Sequence, residues 1–142
     1  MTEIEVGLIR RKLAVITRDL GDLGAVEALS VDDYRRDRFR LKGTERLLQE
    51  VVEAAVDVNL HLLKTARAGT PPDYHDSFVE LGRHRIIPDA LAQRLAPSAG
   101  LRNRLVHEYD AIDDAIVLSA VKKVRADFAE YVAAVEQFLA KG

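Results

Sequence analysis

Apolar residues recur at intervals of three and four along this chain and do not alternate with polar ones. That spacing belongs to amphipathic helices, not to half-buried strands. Val6, Ile9, Leu13, Ile16, Leu20 and Leu23 step along one face of a first helix. Val117, Val121, Val124, Phe128, Tyr131, Val135 and Phe138 do the same near the C-terminus. Each stripe must be buried against other helices, and the regularity of the last predicts close, near-antiparallel packing in a bundle.

A third pattern spans 32–66. Its main stripe is Leu41, Leu48, Val51, Ala55, Val58 and Leu62, widened by Leu47, Val52, Val56 and Leu63. So wide an apolar face predicts the most buried helix of the set, with Asp32 or Asp33 as its cap. Gly69, Pro71 and Pro72 are expected to end it. Short helices then follow over 77–82, from Pro88 through Leu95, and over 98–107. Asp110 followed by Asp113 resembles a weak capping box for the last helix. No repeat, low-complexity tract or long linker divides the chain. The expectation is an all-α antiparallel bundle of three long and two or three short helices, forming one domain over 1–142.

Composition narrows the chemistry. At 142 residues, 48% hydrophobic and 31% charged, the chain can bury a proper core and does not resemble a disordered one. It has no cysteine, which excludes disulfides and thiolate metal sites. His61, His75, His84 and His107 match no zinc spacing, so neither metal nor cofactor is expected. No stretch is apolar enough for a membrane span. The N-terminal residues lack the apolar core and cleavage site of a secretory signal, and the expected location is cytoplasmic.

Twenty-one basic and 23 acidic residues leave a net charge of -2, which argues against broad coating of nucleic acid but leaves room for a local patch. The run RRDRFRLKGTER (35–46) holds six basic residues against two acidic ones. Arg35, Arg36, Arg38, Arg40 and Lys42 would neutralise RNA phosphates there. A solvated helix face is the commoner origin of such a run.

The stretch LRNRLVHEYDAID (101–113) carries candidate catalytic groups. Histidine exchanges a proton near neutral pH. Arginine is always charged and its fork matches phosphate oxygens. RNA brings its own nucleophile in the 2′-hydroxyl. Arg102, His107 and a polar helper, Asn103, would therefore suffice for RNA cleavage without a metal. Residues five apart on a helix point about 140° away from each other, so Arg102 and His107 converge only where the helix ends or distorts. A single histidine also leaves one proton-transfer role empty, which a symmetric dimer would fill. The structural readings are a cationic His107 at a helix C-terminus and a surface bridge from Arg104 to Glu108.

Other groups carry less. Arg83, His84 and Arg85 read as a turn surface that could flank a cleft. One of Asp57, Asn59 and His61 fits a satisfied buried polar group. Glu53 and Asp57, four apart, make a poor metal site without a histidine partner. Tyr34 and Tyr74 read as packing or loop residues.

RNRLVHEY resembles the R-x4-H-x-Y signature of the HepT-like branch of HEPN domains. The resemblance extends over ERLLQEVVEAAVDVNLHLL (45–63), over 71–113 and over the C-terminal helix, and so covers most of the chain. It implies a cytoplasmic toxin of a prokaryotic toxin–antitoxin pair. Such toxins are metal-independent ribonucleases, with tRNA among their substrates, and usually homodimers with both motifs across a shared cleft. The implied partner is a minimal nucleotidyltransferase antitoxin of the MntA type, which attaches AMP to the motif tyrosine. Matched by position, Arg102 and His107 are the implied catalytic pair, Asn103 the polar residue beside them and Tyr109 the AMP acceptor. The alternative is a non-catalytic HEPN module that only binds a nucleotidyltransferase. Such modules lack the R-x4-H pair, which is present here.

Overall fold

A computed structural model describes residues 5–141. Among them are seven helices: α1 (Val6–Leu23), α2 (Val31–Arg36), α3 (Arg38–Thr65), α4 (Tyr74–Arg83), α5 (Asp89–Leu95), α6 (Ser98–His107) and α7 (Asp114–Lys141). No strand occurs among the described residues. The three long helices follow the three apolar stripes. Ile9, Leu13, Ile16, Leu20 and Leu23 of α1 are buried, as are Val117, Val121, Val124, Phe128, Tyr131 and Val135 of α7. The wide face on α3 has its expected consequence, because α3 packs against α1, α2, α4, α6 and α7.

Cross-helix contacts fix the directions. Arg10 meets Glu136 at 3.2 Å, while Arg125 Nε donates to the Leu20 carbonyl at 2.9 Å, so α1 and α7 run antiparallel. Lys12 pairs with Asp57 and Arg18 with Glu50, which sets α1 antiparallel to α3 as well. Phe78, Phe128 and Tyr131 join α4 to α7 with ring centroids 5.8–6.2 Å apart in edge-on and tilted contacts, the geometry that aromatic quadrupoles favour.

Several boundaries depart from the sequence reading. The long pattern over 32–66 is two helices, because Asp37 adopts an extended conformation (φ −113°, ψ 104°) between α2 and α3. Ser30 caps α2 by accepting from the Asp33 amide, in place of Asp32 or Asp33. Asp37 caps α3 by accepting from the Arg40 amide. Gly69 and the two prolines do not end α3. Arg67 does, at φ 56°, with the Ala68 amide donating back to the Leu63 carbonyl at 2.9 Å, a Schellman closure on a non-glycine residue. Arg85 (φ 58°) closes α4 in the same way. That helix also starts earlier than expected, at Tyr74, because Asp73 caps it through the Asp76 amide. The short helices number four, one more than the upper expectation, because the break at Asp37 creates α2.

Asn59 is the buried polar group of its trio. Its Oδ1 accepts from the Tyr131 hydroxyl at 2.6 Å, and its Nδ2 donates to Ser77 Oγ at 3.1 Å. Ser77 in turn donates to the Tyr74 carbonyl at 2.7 Å. This chain of bonds ties α7 and α3 to the first turn of α4, where an unpaired buried amide would cost about 1–3 kcal/mol.

Asp19 of α1 is also buried. Its Oδ1 accepts from Arg18 Nε at 3.2 Å, and its Oδ2 has no partner among the described residues. Burial and then the neighbouring Glu50 carboxylate raise its pKa from 3.8 to about 6, against the opposing pull of Arg18. The folded state therefore holds this proton more tightly than the unfolded state does. The resulting stabilisation is full below the unfolded value and is lost as pH rises through the folded one. Wild type should thus lose stability relative to Asp19→Asn between pH ~4 and ~7 in urea titrations. Parallel pH curves for the two proteins would contradict this assignment.

Candidate active site

The motif lies on α6, which runs antiparallel to α3. Glu53 of α3 meets Arg102, and Lys42, near the start of α3, meets Tyr109 just beyond the end of α6. Helix α6 stops at His107. The Glu108 amide still donates to the Arg104 carbonyl at 2.8 Å, but Glu108 itself leaves the helix at φ −131°. A turn follows, in which the Ala111 and Ile112 amides both bond to the Glu108 carbonyl. Asp113, not Asp110, then caps α7 by accepting from the Ala115 amide at 2.8 Å. His107 is exposed on the last residue of α6, and no side chain among the described residues hydrogen-bonds to its ring.

Arg102 is held on several sides. Its Nε and Nη2 both donate to Glu53 Oε2, at 3.0 and 2.9 Å, and its Nη1 donates to Asn103 Oδ1 at 3.2 Å. The guanidinium lies over the Tyr74 ring, 4.9 Å from its centroid, a stacking contact favourable to a delocalised cation. The side chain is 20% exposed. After these bonds each terminal nitrogen keeps one N–H for an incoming acceptor. Gln49 Nε2 also donates to Glu53 Oε2, at 3.1 Å, and Arg46 stands 3.9 Å from Glu53 Oε1. Glu53 is therefore the hub of the cluster, while Asp57 turns away to Lys12. The two carboxylates serve different partners and do not form a pair.

The structure thus brings Arg102 and Asn103 together and sets His107 apart, at the helix end on a different bearing. Tyr109 is 59% exposed, with the Lys42 ammonium 5.4 Å from its ring centroid. A depression of about 440 Å³ around it is lined by Arg35, Arg38 and Lys42, together with Glu45, Asp110 and Asp114. The basic run is therefore divided. Arg36 pairs with Asp33, and Arg40 folds back onto the Asp33 carbonyl, so neither lines this depression. Arg35 meets Asp114 at 3.2 Å.

Arg104 does not bridge to Glu108. It lines a groove of about 540 Å³ between α6 and α7. Arg83 and His84 pair with Glu80 at the α4 terminus, away from Arg102, as a turn surface should. Tyr34 is a packing residue, wholly buried with its hydroxyl toward the Leu41 carbonyl. Sequence reasoning missed two members of the site, Glu53 and Tyr74. Both reach Arg102 through tertiary contacts that leave no local signal.

The sequence and the all-α fold together assign this chain to a known class. The chain is a member of the ribonuclease HepT-like family, whose model matches residues 13–135. A tRNA nuclease HepT of Aphanizomenon flos-aquae is 40% identical over 139 residues, covering 98% of this chain and 95% of that protein. An mRNA nuclease HepT of Shewanella oneidensis is 30% identical, covering 88% and 93% of the two chains. Among solved structures, the tri-AMPylated Shewanella oneidensis HEPN toxin in complex with its MNT antitoxin superimposes with a TM-score of 0.82 at 26% identity, over 96% of this chain and 99% of that one.

The anchoring of Arg102 is testable without any substrate. Glu53→Ala should free the guanidinium, so that the Arg102 Nε–H, protected in wild type, exchanges in nitrogen-edited NMR like that of an exposed arginine. The same change should lower stability by about 1–3 kcal/mol. Retained protection would show that the Tyr74 stack alone holds the side chain.

Proposed function

We propose that this chain is a metal-independent endoribonuclease and the toxin of a toxin–antitoxin pair. Its proposed substrate is tRNA, its centre Arg102, Asn103 and His107, and its off switch AMP transfer to Tyr109 by a nucleotidyltransferase antitoxin. The observation that carries the reading is the state of Arg102. It is mostly buried, fixed by Glu53 and Tyr74, and retains N–H groups free to meet phosphate oxygens.

In the proposed reaction the ribose 2′-oxygen attacks the adjacent phosphorus, and the P–O5′ bond breaks to leave a cyclic phosphate. One group removes the 2′-hydroxyl proton and another protonates the departing 5′-oxygen. Arg102 stabilises the charge that builds on the equatorial oxygens. Its guanidinium is always charged, so that part needs no titration. His107 takes one proton-transfer role. Arg102 and His107 lie about 7.5 Å apart along the α6 axis and about 140° around it, so one chain does not aim both at one phosphate. A symmetric homodimer, with α6 of each subunit facing the other, supplies the missing proton-transfer group and closes the cleft. Arg35, Arg38 and Lys42 would then guide the RNA backbone.

The same geometry gives the switch a physical basis. Tyr109 is exposed and two residues from His107. Each AMP unit adds a phosphodiester charge and a base beside the place where the RNA phosphate must sit. Lys42 and its neighbours would hold that charge there, so substrate is both repelled and obstructed. Neither metal nor cofactor takes part in this scheme.

Incubating the purified protein with total tRNA and EDTA should give cleavage in wild type and a loss of at least about 100-fold in His107→Ala, in line with removal of a general acid–base group. Equal cleavage by both proteins would remove His107 from the reaction. Tyr109→Phe should keep cleaving RNA and resist silencing by the antitoxin with ATP, read as restored growth arrest in cells. A Tyr109→Phe protein still silenced through AMP transfer would place the acceptor elsewhere.

A further inference from the structure

Phe39 is the most exposed large hydrophobic side chain among the described residues, at 91%. Single exposed apolar residues are ordinary, so exposure alone says little. Its position says more. Phe39 stands in the first turn of α3 between Arg38 and Arg40. Positions 39, 42, 46, 49 and 53 follow at intervals of three, four, three and four, which places them along one face of a helix. That face reads Phe39, Lys42, Arg46, Gln49, Glu53.

The far end of this stripe is the hub that holds Arg102. Gln49 and Arg46 both reach Glu53, and Lys42 faces Tyr109. At 1.5 Å per residue, Phe39 lies about 21 Å from Glu53 along the α3 axis. The stripe thus has an aromatic ring open to solvent at one end, cations along its middle and the Arg102 cluster at the other end. Aromatic faces that accept unpaired bases, alternating with cations that accept phosphates, are how proteins bind single-stranded nucleic acid without reading its sequence.

We propose that this face of α3 is a track for single-stranded RNA, in which Phe39 stacks on an unpaired base and Lys42 and Arg46 meet the phosphates between it and the reaction centre. The inference rests on the ribonuclease reading and adds to it a substrate class: the segment cut is unpaired and extends several nucleotides from the scissile bond toward the start of α3. A duplex cannot offer a base face to Phe39 without being opened.

The chain contains no tryptophan, so Phe39→Trp introduces a single fluorescent reporter at the proposed stacking position. In a His107→Ala background, to prevent cleavage, an oligoadenylate of about eight nucleotides should quench this tryptophan, and a blunt RNA duplex of equal length should not. In the active protein, Phe39→Ala should raise KM for a single-stranded RNA by roughly 5- to 150-fold with kcat little changed, and Phe39→Trp should restore it. An unquenched tryptophan with an unchanged KM in Phe39→Ala would overturn the proposal. So would a Phe39→Ala protein whose KM stays at the wild-type value while it loses self-association or antitoxin binding, because the ring would then belong to a protein contact. The ribonuclease reading fails separately. If wild type cuts no RNA but the tryptophan is still quenched, the track stands and the catalytic assignment falls.

Discussion

Glu53 sets the position of Arg102, and the rest of the site is arranged around that ion pair. A lone arginine on a short helix samples many rotamers and spreads its charge over a wide volume. Two N–H groups donating to one carboxylate oxygen remove most of that freedom, and such charge-assisted bonds are the strong ones. Because Glu53 sits on α3, the most enclosed helix, its own position is fixed by packing on several sides. A group that must stabilise developing charge gains from being held before the reaction begins.

The core extends this rigidity outward. Tyr131 bonds to Asn59, Asn59 to Ser77, and Ser77 to the backbone of Tyr74. Tyr74 then presents its ring to the Arg102 guanidinium. Buried polar chains of this kind are favourable only when every member is satisfied. Here the chain leads from the centre of the bundle to the edge of the site. The other half of the motif is built on opposite terms. His107 and Tyr109 stand at a helix end and in the turn beyond it, exposed, where a second subunit, an RNA or a modifying enzyme can reach them. A fixed cation on α6 and an accessible imidazole and phenol at its end suit both the proposed reaction and its proposed control.

Much of this was legible in the sequence, for reasons that differ by element. The stripes of α1, α3 and α7 are long and periodic, and burial follows directly from them. Helix α6 ends where the 98–107 reading put it, but His107 is still helical, so the end does not turn it toward Arg102. The break at Asp37 was not visible, since the flanking pattern runs through it and aspartate is neither proline nor glycine. The ends of α3 and α4 were misplaced because Arg67 and Arg85 take left-handed conformations, which favour glycine and leave no mark when another residue adopts them. Glu53 and Tyr74 were hidden for a different reason. Glu53 is 49 residues from Arg102 in sequence, and only the antiparallel packing of α6 on α3 brings them together. Sequence spacing argued against Glu53 and Asp57 as a metal pair, but it offered no route to the true partner of Glu53.

The central claim is that an anchored guanidinium and an exposed imidazole break RNA through its own 2′-hydroxyl. The most direct measurement is the chemistry of the cut. An oligoribonucleotide substrate should yield a fragment ending in a 2′,3′-cyclic phosphate and a second fragment with a free 5′-hydroxyl, and replacing the 2′-hydroxyl at the scissile position with hydrogen should abolish cleavage. Cleavage of the deoxy-substituted substrate at the ribose rate, leaving a 5′-phosphate, would mean that water is the nucleophile and would contradict the account.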